Sequence, residues 1–284
     1  MDSFLNFFTE PLLAPYVQKA LVEVAILSVI VAVVGTYVVL KGLSFLSLAL
    51  SHAIFPGVVV AYLIGSSYLL LSLVIGVGVS LLIGLAKRNV RVGHDSAIGT
   101  IYTGSFAAGI MLVSYTRLNK QLSEFLFGRL FGVGWDDIII TASIGGLVLL
   151  LLGLARKEVL LISFDANMAQ AQGLPVAWLE IGFLAILSMV VVVALPAVGN
   201  IQIVALLVTP PATARLLTDR LNRMMLISGV VAFVSGVVGI YLAVHLNLVP
   251  GATVLVVLTG LFLLVYLFSP KYGLLAGYLA HYRD

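Results

Sequence analysis

Long apolar runs follow one another through almost the whole chain and leave it few ways to fold. They lie roughly at residues 20–40, 48–64, 68–86, 97–115, 138–155, 177–197, 201–217, 224–245 and 252–268. Backbone amides and carbonyls in lipid must be satisfied within the chain, so such runs predict membrane-spanning α-helices. The predicted fold class is all-α, a polytopic transmembrane helical bundle. We expect about nine spans, or eight if the short, glycine-interrupted second run does not cross.

Composition agrees with this fold class and excludes several functions. Of 284 residues, 62% are hydrophobic and only 10% are charged, and the mean hydropathy is +1.19. The chain has no cysteine, which excludes disulfides and cysteine chemistry. It also has no phosphate-binding loop, so any ATP hydrolysis must take place on a separate subunit and the chain itself is not expected to be an enzyme. The net charge of +3 forms no basic cluster, and we expect no nucleic-acid partner.

The distribution of basic residues predicts the orientation of the bundle. If the C-terminus is cytoplasmic, eleven lysines and arginines lie on that side and four lie outside. Because cytoplasmic loops carry an excess of Lys and Arg, this orientation is favoured. No linker or appended soluble domain is visible, so residues 1–284 are predicted to be one transmembrane domain with a helical core at 16–270.

The stretch at residues 43–62, LSFLSLALSHAIFPGVVVAY, combines apolar residues with polar ones. An ionisable side chain at membrane depth usually faces a cavity or pathway, which makes His52 a candidate site residue next to Ser51. Pro56–Gly57 weaken the helix close by, and broken helices at this depth are typical of transport sites. The alternative interpretation is a satisfied core histidine at a helix junction.

A polar segment at residues 163–175, SFDANMAQAQGLP, is predicted to form a short cytoplasmic helix. Asp165 can cap its start, and Gly173 and Pro175 can end it. It could simply tie two spans together. The functional alternative is a coupling helix that meets a cytoplasmic subunit, with Ala169 and Gly173 exposed so that a partner can pack closely.

Other polar and small residues support local predictions only. Pro210–Pro211 should interrupt the helix that begins near residue 201, because neither residue has an N–H. Glu23 could pair with Lys19, four residues before it. Asn200 and Gln202 lie between two apolar runs and are predicted to satisfy a turn. Small residues recur at four-residue spacing, which lets helices approach closely: Gly104 and Ala108, Ala232 and Gly236, Ser235 and Gly239.

Six stretches, spread over nearly the whole chain, occur in an order that is typical of one family. They are residues 16–62, HDSAIGTIYTGSFAAGI at 94–110, LSEFLFGRLFGV at 122–133, FDANMAQAQGLP at 164–175, VALLVTPPATARLLTDR at 204–220 and LVPGATVLV at 248–256. Each is a weak signal alone. Together they resemble the membrane permease subunits of metal-ion ABC importers of the manganese/zinc/iron type.

This resemblance implies a compact version of the helical fold of the vitamin-B12 and siderophore importers. It implies that two copies of the chain form a pathway for zinc or manganese in the bacterial inner membrane, and that His52 lines it. An ABC ATPase dimer would bind ATP and dock at residues 163–175, and an extracytoplasmic metal-binding protein would deliver the ion. No permanently bound cofactor is implied.

The family's usual acid is missing from the predicted metal site. A carboxylate one turn before the histidine could share its ion, but here that position is Leu48, next to Ser47. An imidazole with serine hydroxyls favours zinc over manganese, which prefers oxygen ligands. The sequence therefore favours zinc slightly, with His52 as ligand and Ser51 and Ser47 as further candidates.

Candidates for contact with the binding protein at the outer face are His245 and Asn247, whose alternative is an interfacial loop, and Arg129, which could instead contact a lipid headgroup. Residues 122–133 resemble a short outer half-helix. Three alternatives remain. A permease for a siderophore-type chelate usually needs a longer chain, and a secondary metal transporter or channel needs more intramembrane carboxylates. An intramembrane hydrolase is disfavoured because Ser51 and His52 point about 100° apart on a helix.

Overall fold

The computed structural model describes residues 11–86, 94–116, 127–269 and 272–273, and within these ranges it is helical without strands. A 3₁₀ turn spans Leu130–Gly132. The helices, in chain order, are α1 Pro15–Leu40, α2 Ser44–Ala53, α3 Phe55–Leu63, α4 Tyr68–Ala86, α5 His94–Thr116, α6 Trp135–Leu154, α7 Arg156–Phe164, α8 Ala166–Ala171, α9 Val176–Arg215, α10 Leu221–Leu246 and α11 Pro250–Phe268.

Eight helical segments in the described ranges are long and apolar enough to cross a membrane, with α2 and α3 counted as one. They run between two ends of a bundle. We call the end that holds Lys41, Arg156 and Arg215 the basic end, and the end that holds Tyr16, Phe131 and Asn247 the far end. At the far end the rings of Tyr16 and Phe131 lie 5.3 Å apart. At the basic end Ser269, just after α11, donates a hydrogen bond to the Leu216 carbonyl.

The longest helix, α9, doubles back on itself inside the bundle. Gly199 interrupts its helical backbone with φ 78° and ψ 164°. Lys41 lies 5.8 Å from the Phe183 ring in the first arm, and the Leu207 carbonyl in the second arm lies against Gly35. A straight helix would separate Phe183 from Leu207 by about 36 Å. Both arms therefore reach the basic end, and with the arms counted separately the described chain passes through the bundle nine times, within the predicted eight or nine.

Close helix packing around α1 forms the core, and two of the predicted small-residue pairs contribute to it. Ala232 and Gly236 on α10 are buried, and a Cβ at Gly236 would collide with Val24 on α1. Gly239 lies against the backbone of α11 in the same way. These glycines let the backbones approach, as their spacing predicts. Gly104 on α5 differs, because it is exposed and has no neighbour within 4 Å.

The predicted interruption at Pro210–Pro211 is wrong. Both residues lie inside the second arm of α9, which continues to Arg215. They remove two helical hydrogen bonds, but the freed Leu207 carbonyl packs against Gly35 on α1. Close packing by a neighbouring helix lets a membrane helix continue through proline. The break lies at Gly199 instead.

Glu23 is also placed differently from the sequence-based prediction. It is fully buried on α1, and its Oε1 accepts a 2.9 Å hydrogen bond from the Thr141 hydroxyl on α6. Its Oε2 has no hydrogen-bond partner in the described part of the chain. Glu23 thus joins α1 to α6 rather than pairing with Lys19.

Candidate functional site

The first element of the site is the junction between α2 and α3. Helix α2 ends at Ala53 and α3 begins at Phe55, with Pro56 in the first turn of α3. Proline cannot donate to the preceding turn, so the helix is interrupted here as the Pro56–Gly57 pair predicts. The Ser105 hydroxyl on α5 donates a 2.8 Å hydrogen bond to the Ala53 carbonyl. The Gly57 amide donates to the Ile54 carbonyl instead, so the Ala53 carbonyl, left free at the junction, is satisfied by a neighbouring helix.

His52 lies one residue before the end of α2, about midway along the α2–α3 pass, and is half-buried. Its ring stacks on Phe106 with centroids 5.1 Å apart and meets the edge of Tyr102 at 6.3 Å. One turn earlier on the same helix, Leu48 is 37% exposed. Helix α5 therefore packs against one side of the imidazole, and the rest of His52 remains partly exposed at the surface of the single chain.

Asn200 is the direct polar partner of His52. It is fully buried, and its Nδ2 is in hydrogen-bond contact with Nδ1 of His52, although 148 residues separate the two in the chain. Its Oδ1 has no hydrogen-bond partner in the described part of the structure. The sequence assigned Asn200 only to a turn, so this contact was missed. The sequence signal that could have pointed to Asn200 is the pair Gly199–Asn200, which lies between two apolar runs.

The break at Gly199 fixes the position of Asn200. The φ and ψ angles of Gly199 belong to a region that is essentially restricted to glycine. A Cβ at Gly128 would lie 2.5 Å from the Gly199 nitrogen, so the two backbones are in close contact. With its amide nitrogen facing inward, Gln202 donates to the Val198 carbonyl at 3.0 Å and the Gly251 carbonyl at 3.2 Å. These contacts hold the reversal inside the bundle, so Gln202 satisfies the turn as predicted.

The predicted serine ligands are only partly oriented towards His52. Ser51 is buried, lies 3.5 Å from His52 Nδ1, and donates to the Leu48 carbonyl at 2.8 Å. Ser47 is buried and donates to the Leu43 carbonyl at 3.2 Å. No group of three or more His, Cys, Asp or Glu side chains that could hold a metal occurs in the described ranges. One imidazole with neutral oxygens suits a passing ion better than a resident one.

A second candidate surface lies at the basic end. Asp165 caps the short helix α8, because its Oδ1 accepts a 2.8 Å hydrogen bond from the Met168 amide, and Gly173 follows the helix with φ 81°. Gly173 is exposed as predicted, but Ala169 is fully buried. The prediction that Ala169 is exposed is therefore wrong: on so short a helix its methyl group lies on the inner side.

The predicted outer residues lie at the far end. Asn247 ends α10 in the left-handed conformation, with φ 52°, a role for which asparagine is suited. His245 lies beside Tyr241. The side chain of Arg129 is half exposed, 3.8 Å from Asp137, and its backbone amide donates to the Pro196 carbonyl. In the described part of the predicted half-helix, Phe127 is helical and the 3₁₀ turn follows at Leu130–Gly132, while residues 122–126 lie outside the described ranges.

Known proteins resemble this chain over nearly its whole length. The manganese transport system membrane protein MntC of Halalkalibacterium halodurans is 40% identical over 278 residues, which cover 97% of this chain and 95% of the relative. MntB of Synechocystis is 36% identical and covers 96% of this chain and 89% of its own length. The chelated iron transport system membrane protein YfeD of Yersinia pestis is 33% identical, covering 94% and 90%.

Solved structures share the fold. PsaBC from Streptococcus pneumoniae, solved in complex with a Fab, matches with a TM-score of 0.86 and 29% identity over 98% of this chain and 99% of the matched chain. A metal-chelate type ABC transporter in an inward-facing conformation matches with a TM-score of 0.67 and 17% identity over 89% and 88%, which supports the fold alone. The model of the ABC 3 transport family matches residues 14–269. The chain therefore belongs to the ABC 3 transport family.

Proposed function

We propose that this chain is the membrane permease subunit of an ATP-driven importer that carries a divalent transition metal ion past His52. The observation that carries the proposal is the half-buried imidazole of His52, held at mid-bundle between two broken helices. Irregular backbone at membrane depth is tolerated where it lines a cavity or pathway. Membership of the ABC 3 family supports the ATP-driven class, with ATP bound by a separate ATPase subunit and the ion delivered by an extracytoplasmic binding protein.

Manganese is the cargo that we propose. The missing acid at Leu48 alone favoured zinc, but the relatives named above are called manganese or chelated iron transport proteins. Iron is the second candidate because of the YfeD relative. The excess of basic residues at one end supports placing that end and the C-terminus in the cytoplasm of a bacterial cell. With nine passes, α1 then begins on the outer side.

The test of this function is metal accumulation in cells that carry the complete importer. Elemental analysis of manganese, zinc and iron should show that His52→Ala lowers the accumulation of one metal at least about tenfold, as expected when a metal-contacting group is removed. Ser143→Ala is the control, since Ser143 is exposed and donates only to its own helix. Normal accumulation of all three metals by assembled His52→Ala would overturn the role of His52.

We further propose that helix α8 and its flanks dock the ATPase subunit. Phe164, the last residue of α7, is 70% exposed and Met168 on α8 is 54% exposed, and both offer an apolar contact to a partner. The buried Ala169 anchors this surface to the bundle. We expect Met168→Asp to reduce co-purification of the ATPase, because it places a charge in an apolar contact. The control is Ser67→Asp, which adds the same charge in the exposed turn between α3 and α4 at the far end, and equal co-purification of both variants would contradict the assignment.

Two copies of the chain would enclose the open side of His52. Helix α5, whose Phe106 and Tyr102 hold the imidazole, exposes Gly104 and Ala108 at a spacing that lets helices pack closely. Because the chain has no cysteine, Ala108→Cys introduces a single thiol. Oxidation in membranes should join two copies through it, whereas Val256→Cys, exposed on α11, should not crosslink. Absence of the Ala108→Cys crosslink would place the second copy elsewhere.

A further inference from the structure

Asn200 combines two features that the fold alone does not require. Its side chain is fully buried beside His52, yet its Oδ1 has no hydrogen-bond partner in the described part of the chain. A buried polar atom without a partner costs free energy, so it needs a reason to be there. Neither apolar packing nor the turn at Gly199 needs a carboxamide at this position, because Gln202 already donates to the freed carbonyl of Val198.

Neighbouring residues restrict the orientations of both the His52 ring and the Asn200 side chain. Phe106 stacks on one face at 5.1 Å with an angle of 27° between the rings, and Tyr102 meets its edge. Asn200 is equally restrained, because it directly follows the Gly199 reversal, against which Gly128 packs. The side-chain amide can still rotate by 180°, which exchanges its oxygen and nitrogen at nearly the same positions.

These two amide orientations have opposite consequences for metal contact. If the Asn200 nitrogen donates to Nδ1, the proton of a neutral imidazole must be on Nε2, and no lone pair remains for a cation. If the Asn200 oxygen accepts from Nδ1–H, the lone pair of Nε2 is free. In the second orientation Oδ1 gains a partner in His52, and Nδ2 moves to the position that has none. Metal-binding histidines are commonly oriented by such an acceptor at the other ring nitrogen.

We propose that Asn200 is the positioning residue for His52: its Oδ1 accepts the Nδ1–H bond and keeps Nε2 available to the passing divalent metal ion. This inference rests on the proposed function of His52. It also agrees with the absence of an acid at position 48. Without that carboxylate the ion depends on one imidazole, which must therefore be well oriented. Asn200 reaches this position through the reversal of α9 rather than through the helix that carries His52.

Matched substitutions at position 200 test the proposal by metal uptake of the assembled importer. Asn200→Asp keeps an oxygen acceptor but cannot donate, whereas Asn200→Leu has a similar size and can do neither. We expect Asn200→Leu to lower the initial rate of manganese uptake by about tenfold or more, and Asn200→Asp to keep most of the uptake. Wild-type uptake by Asn200→Leu would overturn the proposal. So would an Asn200→Asp variant that assembles normally but fails as Asn200→Leu does.

A second measurement reads the tautomer of the wild-type protein directly, and a variant is needed only to assign the signal. Nitrogen-15 NMR of histidine-labelled permease distinguishes the two imidazole tautomers, and His52→Gln assigns the signal among the four histidines. The proposal predicts that Nδ1 of His52 carries the proton at neutral pH, and a proton on Nε2 would contradict it. Normal uptake by His52→Ala would refute the proposed function itself. Lost uptake in His52→Ala with normal uptake in Asn200→Leu would refute only the role of Asn200.

Discussion

Two buried polar pairs join distant helices of this bundle, and they differ in nearly every other respect. Glu23 and Thr141 lie 118 residues apart on α1 and α6 and are 0% and 2% exposed. A turn further along, Gly145 packs directly against Ile30 and closes that interface. His52 and Asn200 also lie far apart in the chain, but His52 is half-buried and lies one turn from the exposed Leu48. Both residues of the first pair are sealed in the bundle, whereas the histidine of the second pair is partly accessible.

The comparison shows that a polar group at membrane depth is not by itself a sign of function. Both pairs would qualify as candidates, because ionisable residues in membrane helices are costly. The backbone separates them. Glu23 and Thr141 lie within unbroken helices, whereas His52 precedes the α2–α3 junction and Asn200 follows the Gly199 reversal. We infer that the pair at the broken helices serves transport and that the other pair serves helix packing.

Among substitutions outside the His52–Asn200 pair, Gly199→Ala should have the largest effect on manganese uptake. An alanine in this glycine-only backbone region costs about 1–3 kcal/mol, and relief of that strain would displace Asn200 from His52. Manganese uptake by the assembled importer should fall by about tenfold, which corresponds to roughly 1.4 kcal/mol. The control is Gly65→Ala, at φ 64° in an open turn between α3 and α4. Equal uptake by both variants would mean that the reversal does not serve the site.

An intermediate effect, on stability alone, is expected for Thr141→Val. The substitution leaves both oxygens of buried Glu23 without a partner, which costs about 1–3 kcal/mol. The purified permease should unfold at a lower temperature, while uptake per assembled importer stays near that of the wild type. Ser143→Ala on the same helix is the control, because its hydroxyl is exposed. A Thr141→Val variant with normal unfolding but impaired uptake would reverse our assignment of the two pairs.

The smallest effect is expected for Glu23→Gln. Glutamine has nearly the same shape and still accepts the hydrogen bond from Thr141 through its amide oxygen. Uptake should remain within about twofold of the wild type, less than roughly 0.5 kcal/mol. Loss of uptake in this variant would show that the charge or proton of Glu23 takes part in transport.

The sequence could predict features that depend on neighbouring residues. The nine apolar runs correspond to the nine passes, the interruption near Pro56 occurs where proline lacks its N–H, and Asp165 caps α8. The helical fold and the family follow from the same local patterns in their order along the chain. His52 could be chosen because a histidine inside an apolar run next to proline and glycine is conspicuous.

Features that depend on packing between distant segments could not be predicted. Pro210 and Pro211 remain helical because Gly35, far away in the chain, lets α1 approach the freed Leu207 carbonyl. Asn200 meets His52 only because α9 reverses at Gly199. Ala169 was expected at the surface because its segment is polar, but a helix of six residues must still bury one side. In each case the deciding contact comes from another helix.

The most direct test of the central claim is the initial rate of manganese uptake by liposomes that contain the assembled importer with His52→Gln. Glutamine keeps a polar side chain in the bundle but removes the imidazole. We expect uptake to fall at least about tenfold while ATPase binding and unfolding temperature stay normal. Uptake equal to that of the wild type would contradict this expectation and would place the ion pathway away from His52.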